Sequence, residues 1–165
     1  MGPIMATTSI DVPRERVYGV LADLANRPAF CDHFAKEYHL QRLQSYGIGA
    51  SARFRVDAPR FPIWMETVIT EQEEPYRIVE EGHGSRADRM ELGTAWELVE
   101  GPGATTDVTV TFWTEPGNPI DAAMSKMGAA RWYRKQWGTA LKRLRDMLEA
   151  GESIEPIRVA GLARF

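Results

Sequence analysis

The longest regular pattern in the chain is an apolar stripe near its C-terminal end. Apolar residues recur there at steps of three and four, which is the period of one face of an α-helix. The pattern predicts a single amphipathic helix that begins near Pro119 and ends near Ala150. The stripe consists of Ile120, Ala123, Met127, Ala130, Tyr133, Trp137, Leu141, Leu144 and Leu148, and the opposite face carries Arg131, Lys135, Lys142, Arg143 and Arg145.

The two halves of this stripe differ in side-chain type. The first half carries methionine and large aromatic side chains, whereas the second half carries leucine. Leucine packs into dry cores, and methionine adapts to irregular spaces. We therefore expect the second half to seal the core and the first half to border a binding cavity.

Shorter patterns precede the long helix. Alternation predicts a strand at 7–12, and the helical period after Pro13 predicts a helix at 14–24 with Asp11 as its capping residue. A break at 26–28 introduces a second short helix through Phe30 and Phe34.

Six further strands are predicted, separated by glycine- and proline-rich turns. In the third of these strands, apolar residues occupy both odd and even positions, so the sequence leaves open which face of that strand is buried. The predicted strands lie at 38–45, 50–56, 63–70, 76–81, 90–99 and 106–114. A strand, two helices, six strands and a long helix indicate an α+β fold in which a curled antiparallel sheet of about seven strands surrounds the C-terminal helix.

Composition narrows the class of protein. The length of 165 residues predicts one domain at 1–150, followed by a tail at 151–165. No apolar run reaches the roughly 20 residues of a membrane span, and the first residues do not resemble a signal peptide. A single cysteine, Cys31, is typical of a reducing compartment, so a cytoplasmic protein is expected. The net charge of −3 argues against nucleic acid as a partner.

Charge is unevenly distributed along the chain. Residues 66–100 contain ten acidic side chains against three arginines, whereas the final helix is basic. We interpret these as two solvated faces. The alternatives are a surface that steers charged partners and a self-complementary contact in a homodimer.

No cofactor or metal is predicted. The three histidines lie on different elements, and the neighbouring Cys31 and His33 have no second pair to complete a four-ligand site. Their side chains point apart on a helix, which also disfavours a nucleophile–base pair. The segment 82–84, Gly-His-Gly, lacks the following helix of a phosphate loop and is interpreted as a bulge or strand end.

Three segments carry a family resemblance. They are 9–24 (SIDVPRERVYGVLADL), 68–75 (VITEQEEP) and 140–149 (ALKRLRDMLE). In this order they resemble the START-like superfamily, the helix-grip proteins of the polyketide cyclase/dehydrase and lipid-transport type. The resemblance implies a deep cavity between the sheet and the final helix for lipids, polyketides or hormones. The chain departs from the common pattern at Tyr18 and at 27–30, which are expected to alter the cavity mouth.

Eight residues are candidates for contact with an apolar ligand, because aromatic side chains on the concave sheet face would meet the methionine-rich half of the helix. For any one of the aromatic residues, a place in an ordinary core is the better interpretation, and it is the set as a whole that indicates an apolar pocket. The candidates are Phe54, Met65, Ile78, Trp96, Phe112, Met127, Tyr133 and Trp137.

Glu80 is the candidate for chemistry. It shares parity with Ile78, so one strand register points it into the fold and the other, which we favour, points it into water. An inward carboxylate needs a partner, for which Tyr133, Arg134 and Lys126 are the candidates, or a raised pKa. Such a pair would either orient a ligand or, if the protein is an enzyme, act as general acid or base, with Glu80 and Tyr133 or Arg134 transferring the proton.

Three functions follow from these patterns. The first is a carrier or sensor that binds a small, mostly hydrophobic molecule without inserting into a membrane. The second is an enzyme of the polyketide aromatase/cyclase or dehydrase type that uses the same cavity. The third is a protein-interaction module that uses the charged faces.

Overall fold

A computed structural model gives the structure of residues 1–59, 61–84, 90–115 and 128–158. The first part contains β1 (Ile4–Ile10), α1 (Arg14–Ala22), a 3-10 turn (Leu24–Asn26), α2 (Arg27–Cys31), β2 (Ala35–Leu40) and β3 (Ser51–Asp57). The remainder contains β4 (Pro62–Glu73), β5 (Arg77–Gly84), β6 (Met90–Glu100), β7 (Thr106–Glu115) and α3 (Ala129–Glu149).

The seven strands form one antiparallel sheet in the order β1-β7-β6-β5-β4-β3-β2. Strands β2 to β7 follow one another as neighbours, and β1 pairs with β7 at the far edge. The helices α1 and α2 therefore carry the chain from one edge of the sheet to the other. This arrangement confirms the predicted α+β helix-grip fold.

Helix α3 lies against this sheet and packs on β1 and α2. The residues that it buries are Tyr133, Trp137, Ala140, Leu141, Leu144 and Leu148. They are the members of the predicted stripe from Tyr133 onward, with Ala140 added. Burial of that stripe removes apolar surface from water and holds the helix in the concave side of the sheet.

The C-terminal helix begins later than predicted. Gly128 has φ 91°, a left-handed conformation that glycine adopts without steric cost, and the helix starts at Ala129. The predicted start near Pro119, together with Ile120, Ala123, Lys126 and Met127, lies outside the described residues. The predicted end near Ala150 is confirmed, because α3 ends at Glu149 with Ala150 as its C-cap.

The structure settles the register of β4. Met65, Thr67 and Ile69 are buried and face inward, while the pairing with β5 shifts between Ile69 and Glu71. A bulge of this kind places two residues of one strand opposite one of its partner. The apolar residues of the other parity, Trp64 and Val68, precede the bulge and are half-buried on the opposite face of the strand.

The predicted capping role of Asp11 is wrong. Helix α1 follows Pro13 without a side-chain cap, and the backbone N–H of Asp11 instead donates to the Glu149 carboxylate at 2.9 Å. The capping carboxylate is Asp23, which accepts from the Ala25 N–H at 2.9 Å and opens the 3-10 turn. That turn separates α1 from α2 and fixes where Arg27 enters the fold.

The tail is tied to the first helices over its described part. The N–H of Ile157 donates to the carbonyl of Ala25 at 3.0 Å, and the Ile157 side chain packs against the core. The domain boundary at residue 150 stays a prediction.

We predict opposite effects for two glycine substitutions. A Cβ at Gly82 would lie 1.8 Å from the carbonyl oxygen of Glu66 on the neighbouring strand, so Gly82→Ala should lower the free energy of unfolding by about 1–3 kcal/mol or more. Gly138 in α3 has open space around that position, so Gly138→Ala should raise it by about 0.5–1 kcal/mol. Urea denaturation measures both. Equal effects would contradict the close approach of β4 and β5.

Candidate functional site

A cavity of about 30 Å³ lies between the sheet and the helices α2 and α3. Most of its wall is apolar and aromatic, and a few polar side chains interrupt it. The lining residues are Arg27, Cys31, Phe34, Ala35, Tyr38, Phe54, Val56, Met65, Thr67, Glu80, Leu92, Thr94, Phe112, Tyr133 and Trp137. This is the place between sheet and final helix where the sequence predicts a binding site.

The cavity is narrow in this conformation. Its volume suits about two water molecules, so a larger molecule requires side chains of the wall to move. Tyr38 and Phe54 stack with ring centroids 5.3 Å apart and planes inclined by 11°. Both side chains are only half-buried, so this pair is where the wall meets solvent.

Five of the eight ligand-contact candidates line the cavity, namely Phe54, Met65, Phe112, Tyr133 and Trp137. The Phe112 ring lies 4.7 Å from Tyr133 and 5.9 Å from Trp137, measured between centroids. Trp96 and Ile78 are fully buried in the packed core beside the cavity. Met127 lies outside the described residues. A role of these side chains in ligand binding stays a prediction.

Glu80 faces the interior, so the favoured interpretation that placed it in water is wrong. Only 5% of the residue is exposed, because the register of β5 turns Glu80 and Ile78 to the concave face. Its Oε1 accepts from Arg27 Nη2 at 2.6 Å and from Trp96 Nε1 at 3.1 Å. The cavity wall therefore contains a buried ion pair.

Arg27 is the cation of this pair, and the sequence interpretation missed it. Its guanidinium also donates to the Leu21 carbonyl at 3.3 Å and lies 4.6 Å from the centroid of the Trp96 ring. Burial alone would lower the pKa of Arg27, but the charge of Glu80 and its hydrogen bond outweigh burial and raise that pKa. The sequence did contain a signal for this residue. Arg27 is the one basic residue between two apolar pairs, Leu24–Ala25 and Phe30–Cys31, and both pairs are buried in the structure.

The expected partners of Glu80 are placed differently. Arg134 is exposed on α3, because it lies one residue beyond the inward stripe and points away from the sheet. Tyr133 does line the cavity. Burial raises the pKa of its hydroxyl, so Tyr133 stays protonated. Lys126 lies outside the described residues.

Cys31 lines the cavity but is a poor nucleophile. Burial, the largest influence, raises the pKa of its thiol to about 12, although the charge of Arg27 acts in the opposite direction. Among the described residues, no group of three histidine, cysteine or acidic side chains is arranged to hold a metal ion. The segment 82–84 ends strand β5, as predicted.

His33 joins α2 to α3 beside the cavity. Its Nε2–H donates to the Gln136 carbonyl at 3.1 Å, and its Nδ1 accepts from Arg143 Nη1 at 3.1 Å. A carbonyl oxygen cannot donate, so these contacts select the neutral tautomer with the proton on Nε2. Arg143 also bonds to the Asp32 carboxylate at 2.5 Å and to the Ala29 carbonyl at 3.2 Å.

The basic face of α3 is partly neutralised within the chain. Arg143 is paired with Asp32 as described, and Lys142 is paired with Asp146 at 2.5 Å. Within the described part of the chain, no helix combines the length and the apolar character that crossing a membrane requires.

Comparison with known proteins identifies relatives of this fold. A family described as polyketide cyclase / dehydrase and lipid transport matches residues 1–149. A crystal structure of a protein from Thermus thermophilus has a TM-score of 0.74 at 18% identity and covers 92% of this chain and 100% of its own. No curated protein matches the sequence.

Two further solved structures share the architecture. Ginseng major latex-like protein 151 from Panax ginseng has a TM-score of 0.68 at 12% identity, with 92% of this chain and 97% of its own covered. A START superfamily protein from Mycobacterium smegmatis has a TM-score of 0.61 at 16% identity, with 90% and 95% covered. At these identities the structural likeness establishes the fold alone.

We predict that the Arg27–Glu80 pair is far more costly to break than to replace. Arg27→Met leaves the Glu80 carboxylate buried without its cation and should lower the free energy of unfolding by about 3–5 kcal/mol, whereas the double variant Arg27→Met/Glu80→Leu should recover most of that loss. Urea denaturation gives both values. Arg55 pairs with Glu37 and Asp57 at the surface, so Arg55→Met, the control, should change stability little.

We also predict that stability falls on mild acidification. Burial, the largest influence, and Arg143 and Lys36 lower the pKa of His33 below its usual 6.5, against the opposing Gln136 hydrogen bond and Asp32 charge. The unfolded chain therefore binds the proton first, and the free energy of unfolding decreases as pH falls from about 6.5 through the lower folded pKa. Denaturation between pH 7.5 and 5 tests this.

The control for this pH profile is a second histidine. His33→Asn should flatten the decrease, whereas His83→Asn, at an exposed position, should leave it unchanged. An unaltered slope in the His33 variant would show that another group is responsible.

Proposed function

Because this chain belongs to the polyketide cyclase/dehydrase and lipid-transport family, we propose that it binds a small, mostly hydrophobic molecule between the sheet and α3 as a carrier or sensor. The observation that supports this proposal most directly is the cavity itself. It lies at the centre of the fold, where the packing of sheet on helix elsewhere leaves little unfilled volume. Its wall is built mainly from aromatic and aliphatic side chains, as in ligand sites of other proteins.

The aromatic side chains of the wall leave a route by which a ligand could enter. Trp137 meets Phe34 edge-on and Phe112 at a tilt, with centroids 5.2 and 5.9 Å apart. The Tyr38–Phe54 stack is only half-buried. Opening such a stack costs less than separating fully buried rings, because part of its surface already faces water. We infer that a ligand enters by displacing this pair and then contacts the aromatic side chains behind it.

Binding is favoured over catalysis by the state of the polar groups. Glu80 is engaged by Arg27 and Trp96 through the same oxygen, which favours a carboxylate that holds the wall together over one that gives up or takes a proton. The Tyr133 hydroxyl and the Cys31 thiol have raised pKa values. A cyclase or dehydrase would need a group poised for proton transfer near neutral pH.

A protein-interaction role receives less support. The basic side chains of α3 that would contact an acidic partner include Lys142 and Arg143, which already have acidic partners within the chain. A homodimer through complementary charged faces remains a separate proposal from ligand binding.

We predict that filling the cavity weakens ligand binding. Thr67 lines the cavity and is 2% exposed, so Thr67→Leu places a larger side chain in it, and affinity for an uncharged naphthalene-based fluorescent probe should fall at least about tenfold, at a folding cost of about 1–3 kcal/mol. Quenching of tryptophan emission reports binding, because Trp137 forms part of the wall.

The matched control lies three residues away on the same strand. Thr70 is exposed, so Thr70→Leu should leave probe affinity unchanged. Mass spectrometry under native conditions would reveal an apolar molecule that co-purifies. The proposal fails if no molecule co-purifies and no probe binds, or if both threonine variants bind the probe equally well.

A further inference from the structure

Four residues that line the cavity each carry a buried polar atom with no hydrogen-bond partner among the described residues. The four atoms are Arg27 Nε, Thr67 Oγ1, Tyr133 OH and Trp137 Nε1. Each belongs to a residue that is at most 7% exposed. A buried polar group without a partner lowers stability, because it loses its hydrogen bonds to water and gains none in return. Four such groups around one small cavity therefore require an explanation.

These atoms have one chemical requirement in common. Trp137 Nε1–H and Arg27 Nε–H can only donate, and the hydroxyls of Tyr133 and Thr67 can donate as well as accept. Glu80 Oε1 is occupied by Arg27 and Trp96, and no acceptor among the described residues forms a hydrogen bond with any of these four atoms. What the four atoms lack is therefore a nearby acceptor oxygen.

The charge of the wall limits which acceptor suits it. Arg27 and Glu80 neutralise each other at 2.6 Å, and the same guanidinium nitrogen also donates to the Leu21 carbonyl. A carboxylate brought into this space would meet the negative charge of Glu80, and the described residues of the wall offer no free cation to balance it, so its desolvation would be uncompensated. A neutral oxygen avoids both costs.

Two of the donors come from one face of one helix. Tyr133 and Trp137 are four residues apart on α3, so they project from adjacent turns, and the Phe112 ring lies against both. A molecule that rests its apolar part on Phe112 would present an oxygen to either donor.

We propose that the cavity selects neutral, mainly apolar molecules that carry a carbonyl or similar acceptor oxygen, to which Trp137 Nε1–H and Tyr133 OH donate. This inference rests on the proposed ligand-binding function and specifies the chemical class of the ligand. Water molecules could satisfy the same atoms, since the cavity holds about two. In that case no preference for an oxygen-bearing ligand would be measured.

Three small molecules of nearly the same shape separate these outcomes. Acetophenone carries a carbonyl, α-methylstyrene replaces that oxygen by CH₂, and benzoate replaces the acetyl group by a carboxylate. Dissociation constants are measured with the full chain by ligand-observed NMR. We expect acetophenone to bind about three- to tenfold more tightly than α-methylstyrene, as one added hydrogen bond provides, and benzoate to bind most weakly.

Matched substitutions assign the preference to the two donors. Trp137→Phe and Tyr133→Phe each keep an aromatic ring and remove the donor, so each should lower the acetophenone preference, and together they should bring it to about one or below. Trp132→Phe is the control. The Trp132 ring lies on the same helix and contacts Phe34, but it does not line the cavity, so this variant should keep the preference for acetophenone. Circular dichroism verifies that each variant is folded. If only one of the two donor variants folds, the loss of acetophenone preference is measured in that variant alone.

The possible results distinguish this inference from the proposed function. Binding of all three molecules with equal affinity, or tightest binding of α-methylstyrene, overturns the inference but leaves hydrophobic binding intact. Tightest binding of benzoate overturns the requirement for neutrality. A preference that survives both donor substitutions overturns the assignment to Trp137 and Tyr133. No binding of any of the three, with no co-purifying molecule, overturns the proposed function together with this inference.

Discussion

The buried charge of Arg27 is the constraint on which the arrangement of the interior depends. A guanidinium that is 4% exposed is tolerated only if an anion and hydrogen-bond acceptors surround it. Glu80 supplies the anion, Leu21 supplies a carbonyl, and the Trp96 ring lies over the cation. The bonds that Arg27 requires therefore fix the position of α2 relative to β5 and the orientation of the Trp96 indole. These elements form one side of the cavity.

The opposite side of the cavity is fixed by apolar packing. Helix α3 places Tyr133 and Trp137 against Phe112, while Leu141, Leu144 and Leu148 fill the space further along. The helix is joined to α2 by His33 and Arg143, which bond to each other and to the chain on both sides. The Arg143–Asp32 ion pair and the contacts of neutral His33 thus hold the two helices together beside the cavity.

This combination gives the cavity its chemical character. Its surface is mainly apolar, and its polar groups are of two kinds. Glu80 Oε1 is engaged by Arg27 and Trp96, whereas Trp137 Nε1 has no partner among the described residues. Engaged groups maintain the shape of the wall, because removing one of them would leave a buried charge. Under the proposed ligand-binding function, the groups without a partner are the ones that a ligand would satisfy, and their donor character specifies which ligand atoms would be stabilised.

Periodicity in the sequence predicts the sheet, the order of the elements and the apolar face of α3, because it records which face of each element is apolar. The partner of Glu80 could not be predicted in this way. Parity alone leaves two registers for a strand, and Arg27 is 53 residues away in the chain, so the two charges meet through folding and not through proximity in the sequence. The position of Gly128, with its left-handed backbone, similarly decided where α3 begins. The size of the cavity also depended on tertiary packing, since it is the small difference between the volume enclosed by sheet and helices and the volume of the side chains that fill it.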